Sequence, residues 1–488
     1  MIDFSAILPE IILVLVAILL PAIGFATKSS KVLAGVSLVG IAGAMLVLIN
    51  FLWNINTTPS ISFMNGSLVL NAFSALFGLV FLGVAFFVIL ASVKYVENDR
   101  NKPEYFSLIL FATLGMLFVS MATDLLSLFV GIEMTSIVSY ILVAYRKKDP
   151  KASEAATKYF IIGGMSTGFT LFGISLLYGV TGEISFTAIN AALVGLTGFN
   201  PVLYLAIIMT IAGFGFKVAL VPFHAWAPDV YEGAPTTITA MLAAGSKKMG
   251  FIALFKLFLI GLIALKADWS VVVAIIAIAT MTVGNLMALS QTNIKRMLAY
   301  SSIAQAGYIL IAIPVATQYA LAGGIFQIMT HAFMKGGAFI AVATLATVAI
   351  GETITEYKGL AKRSAFMAFA IAIFLFALAG IPPLSGFASK FVLFSAPISA
   401  AVAGSEWLLW LAVAGIINSA ISLFYYVRIV KYMYVDRGAS EEKLKLPTSM
   451  VAAVAICLAM TIIMGIWPEP FINAAQSAAR TFVLPWGG

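Results

Sequence analysis

The chain has 488 residues, of which 62% are hydrophobic and 10% are charged, and its mean hydropathy is +1.07. A soluble globular protein carries about 25% charged residues, so this composition indicates an integral membrane protein. With one cysteine, Cys457, and two histidines, the chain excludes internal disulfides, cysteine-ligated iron–sulfur clusters and histidine-rich metal sites.

Fourteen apolar runs follow one another and predict an all-α polytopic membrane protein with about fourteen transmembrane helices. The first run has no basic segment before it, so we interpret it as a retained helix rather than a cleaved signal. The runs lie at about 7–26, 32–53, 70–93, 105–122, 124–144, 156–180, 201–222, 235–264, 270–289, 297–316, 319–349, 366–397, 407–434 and 448–467.

The basic residues outside the runs fall almost entirely on one side of the predicted membrane. Twenty of the 28 lysines and arginines lie in loops that follow odd-numbered runs, whereas the opposite side holds only Lys266 and Arg480. By the positive-inside rule, both termini are expected on the non-cytoplasmic side of the inner (cytoplasmic) membrane. The net charge of +8 is thus a topology signal that requires no nucleic-acid partner.

The seventh and twelfth runs share one layout, a lysine beside a proline break. Pro222 follows Lys217 in the seventh run, and Lys390 follows Pro382 and Pro383 in the twelfth. Because these runs are five helices apart, they predict two five-helix units, helices 4–8 and 9–13, the second inverted in the membrane. Broken helices at matching positions of inverted repeats are typical of a transport pathway.

This layout divides the chain into four predicted regions. Residues 1–104 hold helices 1–3, and residues 105–265 form the first repeat. Residues 266–435 form the second, inverted repeat, and residues 436–488 hold helix 14 and the tail.

Six lysines lie inside apolar runs, where a charge costs about 2.5–3.5 kcal/mol at the bilayer centre. Glu133 is the acid at comparable depth, so it is the natural partner of Lys217. An ion pair that opens and closes would switch the proton affinity of the lysine, and a fixed structural pair is the alternative. The six are Lys217, Lys247, Lys248, Lys256, Lys335 and Lys390.

The later runs add further candidates. Lys247 and Lys248 are adjacent, so they point about 100° apart on a helix. His331 and Lys335 are one turn apart on one face, which suits a proton relay, although a water-filled structural pocket is the alternative. Lys256 is nearer the outer end of its run, and its ammonium is expected to extend to the interface.

His224 and Asp229 follow the break in the seventh run, in PFHAWAPDVYEGAPT. They are candidates for proton entry from the cytoplasm, and a loop-fixing role is an equal alternative. The deep polar residues include one acid and several bases, without a carboxylate cage for Na⁺ or Ca²⁺. This balance favours protons over metal cations as the transported species.

The segment KVALVPFHAWAPDVYEGAPT, followed by SKKMGF, resembles the antiporter-like membrane subunits of respiratory complex I and its relatives. Its WAPDVYEGAPT stretch is most similar to subunit N (chain 2 in organelles) of NADH–quinone oxidoreductase. The resemblance covers nearly the whole chain. It includes QTNIKRMLAYSSIAQAGY, MTHAFMKGGAF and AGIPPLSGFASKF.

The resemblance implies a subunit that translocates protons while other subunits transfer electrons. Glu133 and Lys217 match the family's gating ion pair, and Lys247 and Lys390 match its lysines in helices 8 and 12. His331 and Lys335 occupy the helix-11 relay region. Lys248 is an additional base, which leaves open whether it or Lys247 lies on the path.

The resemblance also implies that no redox cofactor binds this chain, since flavin, iron–sulfur clusters and quinone belong to other subunits. The expected partners are other antiporter-like subunits, small membrane subunits and the lipid bilayer. NADH, ferredoxin and a reduced deazaflavin remain open as donors, and quinone and phenazine as acceptors. A cation/proton antiporter subunit and a non-transporting structural subunit are the rival functions.

Overall fold

A computed structural model describes residues 4–196, 198 and 200–482. In this part of the chain, thirteen helices are long and apolar enough to cross a membrane, and two further apolar helices are shorter. Together they account for the fourteen predicted runs, because two helices form the twelfth. The all-α class is confirmed. A helix is expected here because the bilayer offers no water, so the backbone N–H and C=O groups must form their hydrogen bonds within the helix.

The helices and strands have the following bounds in chain order: α1 (Leu8–Ala26), α2 (Ser30–Trp53), β1 (Ser60–Phe63), β2 (Leu68–Asn71), α3 (Ala72–Tyr95), α4 (Lys102–Met121), α5 (Leu125–Val143), α6 (Pro150–Thr181), α7 (Phe186–Val194), α8 (Pro201–Lys217), α9 (Trp226–Gly233), α10 (Thr236–Met241), α11 (Lys247–Lys256), α12 (Lys266–Leu289), α13 (Ile294–Leu310), α14 (Ala312–Val315), α15 (Gln318–Ala346), α16 (Leu360–Arg363), α17 (Ala365–Ala379), α18 (Ser385–Val402), α19 (Leu409–Tyr434), α20 (Thr448–Ile466) and α21 (Glu469–Arg480).

The core of the protein is built around α15. This helix packs against α3, α10, α13, α17, α18 and α20. The span Ile294–Val315 is buried except at Arg296, whereas α2 and α6 keep a large exposed apolar face. The spans that carry Lys247, Lys248 and Lys335 are also almost entirely buried, whereas α18, which carries Lys390, is buried only in part.

The seventh and twelfth runs are both interrupted as predicted, but the first break comes earlier than predicted. The run predicted over 201–222 loses its helix at Lys217, and Ala219 adopts a left-handed φ of 54°. The second break separates α17 from α18 at residues 380–384. The inverted relation between the two units stays a prediction.

The elements outside the long helices were not predicted. β1 and β2 form an antiparallel hairpin in which Ser60 pairs with Asn71, and Leu68 bridges to Ala122 beyond α4. The region boundaries stay predictions, although α4 begins at Lys102, inside the first region. The last six residues of the region 436–488 and the first three of the chain lie outside the described residues.

Candidate functional site

Glu133 in α5 and Lys217 at the end of α8 form a buried ion pair. Lys217 Nζ lies 3.1 Å from Glu133 Oε1 and donates to Ser136 Oγ at 2.9 Å. Thr167 Oγ1 donates to the same Glu133 oxygen at 2.9 Å. The two charged side chains are 6% and 18% exposed. Each therefore depends on the other, since losing one partner leaves an uncompensated buried charge.

The helix break fixes the position of Lys217. The carbonyl of Phe216, in the last turn of α8, accepts the Ala219 amide at 2.9 Å, because the chain turns away before a regular helical donor could reach it. Trp226 Nε1 donates to this carbonyl at 3.0 Å, and its ring stacks on Tyr159 at 4.8 Å between centroids. The indole thus adds a second donor to this carbonyl and fixes the helix end that carries the lysine.

Lys247 and Lys248 follow a π-helical turn, Leu242–Ser246, which separates α10 from α11. Such turns are frequent at functional sites. Lys247 Nζ donates to Ser302 O at 3.1 Å. Lys248 Nζ has no hydrogen-bond partner among the described residues and lies 5.9 Å from the centre of the Phe251 ring. The two neighbours therefore have different surroundings.

Lys335 and His331 lie on α15 in the interior. Lys335 Nζ donates to Ser301 Oγ at 2.6 Å and to Leu298 O at 3.2 Å. His331 is completely buried, and within the described part of the chain neither of its ring nitrogens has a partner. Four lysines act electrostatically on it: Lys247, Lys248, Lys335 and Lys390.

Lys390 in α18 satisfies the carbonyls that the second break leaves open. Its Nζ donates to Leu378 O at 2.8 Å and to Ala379 O at 3.1 Å, both at the end of α17. A third bond, 2.8 Å long, goes to Ser419 Oγ. The ammonium thus replaces the amide donors that an unbroken helix would supply.

Glycine permits the close approach of the two half-helices. A Cβ atom at Gly386 would lie 1.7 Å from Ala377 O, closer than any real contact. Gly380 has a φ of 92°, in the left-handed region that favours glycine. The backbone around Lys390 therefore depends on both residues.

Asp229 and His224 have separate surroundings. Asp229 accepts hydrogen bonds from Lys158 Nζ at 2.8 Å and from Arg296 Nη1 at 2.7 Å. Burial raises the pKa of this carboxyl, but the two hydrogen bonds outweigh burial and lower the pKa. This geometry supports the loop-fixing role for Asp229. His224 is half-buried in the break, and its Nδ1 has no partner among the described residues.

The expectation that Lys256 extends to the interface is wrong. Lys256 is 6% exposed, and its Nζ donates to Val119 O at 3.2 Å and to Ser120 O and Ala122 O, both at 2.6 Å. These carbonyls stand at the end of α4, where the helix leaves acceptors unbound and carries a partial negative charge. Lys256 therefore caps a helix.

Sequence reasoning missed the small polar side chains that hold the charged groups. Serine and threonine are frequent in apolar helices, and the polar density of QTNIKRMLAYSSIAQAGY could have drawn attention only to the two serines at 301 and 302. The missed side chains are Ser136, Thr167, Ser301, Ser302 and Ser419.

Four of the buried lysines, Lys247, Lys248, Lys335 and Lys390, form one electrostatically connected set together with His331. Lys335 interacts with Lys247 and with Lys390, and Lys248 interacts with Lys247 and Lys335. Across the described ranges, no group of three or more His, Cys, Asp or Glu side chains could hold a metal ion. Closely spaced amines in a low-dielectric interior can take up and release protons in turn.

Residues 122–422 match the family described as NADH:quinone oxidoreductase/Mrp antiporter, TM. The chain is 44% identical over 490 residues to the F(420)H(2) dehydrogenase subunit N of Methanosarcina mazei, covering 97% of this chain and 98% of that protein. It is 40% identical over 487 residues to the NADH-quinone oxidoreductase subunit N of Trichlorobacter lovleyi, covering 98% and 97%.

A solved structure also resembles the chain. A subunit of the membrane-bound sulfane sulfur reductase, an archaeal respiratory membrane complex, superposes with a TM-score of 0.88 at 28% identity. The alignment covers 99% of this chain and 98% of that subunit. The similarity therefore extends over all the helices that carry the buried lysines.

Proposed function

Since the chain belongs to the NADH:quinone oxidoreductase/Mrp antiporter transmembrane family, we propose that it is the N-type, proton-translocating subunit in the membrane arm of a complex I-type oxidoreductase. The observation that carries the proposal is the buried Glu133–Lys217 ion pair, which occurs together with the buried amines of Lys247, Lys248, Lys335 and Lys390. So many buried cations are costly in hydrocarbon, and packing alone does not require them.

In the proposed cycle, redox work in partner subunits pulls Glu133 away from Lys217. While the carboxylate is close, it stabilises the ammonium; once it withdraws, the buried lysine releases its proton. The proton then passes to the interior lysines, of which Lys247, Lys248, Lys335 and Lys390 are close enough to repel one another's charges. The proposed order is Lys217, Lys247 or Lys248, His331 and Lys335, Lys390, then the non-cytoplasmic side.

Electron transfer belongs to partner subunits in this proposal, and flavin and iron–sulfur clusters are expected there. The names of the two relatives mention F(420)H(2) and NADH, so a reduced deazaflavin and NADH are both candidate donors. The lone cysteine, Cys457, is buried in α20. The partners in the membrane are other antiporter-like and small subunits of the same complex.

The charge distribution supports a location in the cytoplasmic membrane with both termini outside. The loops after the odd-numbered predicted runs hold the basic clusters, including Lys147, Lys148 and Lys443. Positively charged loops remain on the cytoplasmic side during insertion. On this orientation His224 is a candidate for proton entry and Lys390 lies nearest the exit.

The test is the proton-to-electron ratio of the complex carrying Lys217→Ala, reconstituted in proteoliposomes. The variant is expected to assemble and transfer electrons while translocating fewer protons per electron. Lys148→Ala, at an exposed loop position, is the matched control and should keep the wild-type ratio. A wild-type ratio in the Lys217 variant would reject the proposed function.

The family description also includes Mrp antiporters, so cation/proton exchange is the second candidate. It predicts proton movement that depends on Na⁺ and needs no electron donor. Proton uptake in the same proteoliposomes, with and without Na⁺ and before the donor is added, separates the two functions.

A further inference from the structure

Hydroxyl groups that the proposed relay does not use extend from Lys335 towards Lys390. Lys335 Nζ donates to Ser301 Oγ at 2.6 Å, and the Ser301 hydroxyl shares a short hydrogen bond with the hydroxyl of Tyr426 in α19. All three side chains are completely buried. A hydroxyl donates one proton and accepts another, so this pair can hand a proton from Lys335 onward.

Gln305 continues this series on α13. It lies four residues after Ser301 and so shares its helix face. Its side chain is a neighbour of the Tyr426 hydroxyl. Its Oε1 accepts from Gln327 Nε2 at 2.9 Å, and its own Nε2 donates to Leu378 O at 3.0 Å. Gln305 is 1% exposed, so water from outside does not replace these bonds.

The Leu378 carbonyl joins Gln305 to Lys390. It accepts from Gln305 Nε2 at 3.0 Å and from Lys390 Nζ at 2.8 Å. Leu378 lies at the end of α17, where the helix break frees its oxygen from a main-chain donor. Hydrogen bonds therefore link Lys335 to Tyr426 and link Gln305 to Lys390, and the Gln305 side chain stands between these two linked groups.

These groups differ in what they can transmit. The hydroxyls of Ser301 and Tyr426 can exchange protons, but a carboxamide does not titrate in the physiological range, and a peptide carbonyl only accepts. Proton transfer therefore stops at Gln305. The mechanical connection does not stop there, because the amide still holds the oxygen that binds Lys390.

We propose that Gln305 is a gate between Lys335 and Lys390, an inference that rests on the proposed proton-translocating function. With its amide in place, the side chain positions Lys390 through the Leu378 carbonyl and prevents a proton on Tyr426 from reaching it. When the amide turns away, Tyr426 and Lys390 can exchange a proton directly or through water. Ser301 and Tyr426 are the relay groups on the inner side of this gate.

The experiment compares Gln305→Glu with Gln305→Met in the complete complex, reconstituted in proteoliposomes. The glutamate has the size of glutamine but takes up and releases protons, whereas the methionine fills the space without a titratable group. Without electron donor, Gln305→Glu should increase passive proton permeability several-fold, and Gln305→Met should leave it at the wild-type level. During turnover, both variants should lower the proton-to-electron ratio.

The neighbouring tyrosines provide a matched pair of variants. Tyr425 and Tyr426 are both completely buried, but the Tyr425 hydroxyl donates to Asn285, whereas the Tyr426 hydroxyl bonds to Ser301. Tyr426→Phe should lower the proton-to-electron ratio without increasing passive proton permeability. Tyr425→Phe should keep the wild-type ratio. If Gln305→Glu does not assemble, this pair decides the test.

Equal proton-to-electron ratios in Tyr426→Phe and Tyr425→Phe would overturn the proposal of a gate. A Gln305→Glu complex with the same passive proton permeability as Gln305→Met would also overturn it. These failures differ from failure of the proposed function. If Lys217→Ala lowers the ratio while the Gln305 and Tyr426 variants behave like wild type, only the gate is wrong. If Lys217→Ala also leaves the ratio unchanged, the function itself is wrong.

Discussion

Glu133 Oε1 accepts hydrogen bonds from both Lys217 Nζ, at 3.1 Å, and Thr167 Oγ1, at 2.9 Å. One carboxylate oxygen therefore ties together α5, α6 and α8. A shift of α6 relative to α8 would draw Glu133 toward one donor and away from the other. This shared oxygen gives neighbouring subunits a mechanical route to the ion pair.

Removing the hydroxyl of Thr167 should weaken this coupling. A hydrogen bond to a charged group contributes about 1.5–3 kcal/mol, and Thr167→Val removes it at nearly constant shape. The complex is expected to transfer electrons normally and to translocate fewer protons per electron. Thr157→Val, on an exposed face of the same helix, is the control. Identical ratios in the two valine variants would show that the hydroxyl does not matter for coupling.

The adjacent lysines should respond in opposite ways to substitution by methionine. Lys247 is held by Ser302, so we expect Lys247→Met to lower the proton-to-electron ratio. Lys248 has no hydrogen-bond partner among the described residues, and an unpaired buried charge costs several kcal/mol. Lys248→Met should therefore raise the melting temperature and keep the ratio. The reverse pattern would place Lys248 on the path.

Lys256 should matter for stability and not for proton transfer. Lys256→Met leaves the carbonyls at the end of α4 without their donor, which costs about 1–3 kcal/mol for a buried unsatisfied group. The variant complex should melt at a lower temperature and keep the wild-type ratio. A reduced ratio in a complex of unchanged melting temperature would show instead that Lys256 carries protons.

Asp229 should stabilise the protein in a pH-dependent way. Its pKa is lowered in the folded state, so its contribution is present above the unfolded value, about 3.9, and is lost as pH falls through the folded value. The melting temperatures of wild type and Asp229→Asn should differ by a constant amount between about pH 5 and 7 and converge below about pH 4. A difference in melting temperature that grows as the pH falls would contradict a lowered pKa of Asp229 in the folded protein.

The long helices could be predicted because each needs one conspicuous feature, an apolar stretch of sufficient length. The breaks could be predicted because proline is equally conspicuous in an apolar run. The exact end of the helix before Pro222 could not be predicted. This helix ends already at Lys217, and the left-handed turn at Ala219 that follows it has no sequence signal. The hairpin of β1 and β2 and the short helices α7 and α21 lack such a feature and were missed.

The candidate site was predicted only in part, for a chemical reason. Lysines and a glutamate inside apolar runs stand out, so Glu133, Lys217 and Lys390 could be selected from the sequence. Their acceptors could not, because the carbonyl of Leu378 and the hydroxyl of Ser301 look like those of any residue of their type. Lys256 was misjudged for the same reason, since its partners are backbone oxygens.

The most direct measurement of the proposed gating pair is the proton-to-electron ratio of a complex carrying Glu133→Gln, which removes the charge and keeps the shape. Without the carboxylate, nothing switches the proton affinity of Lys217, so the ratio should fall below wild type while electron transfer continues. Glu133→Asp, which keeps the charge, should restore part of the loss. A Glu133→Gln complex with the wild-type ratio would contradict the role of the pair.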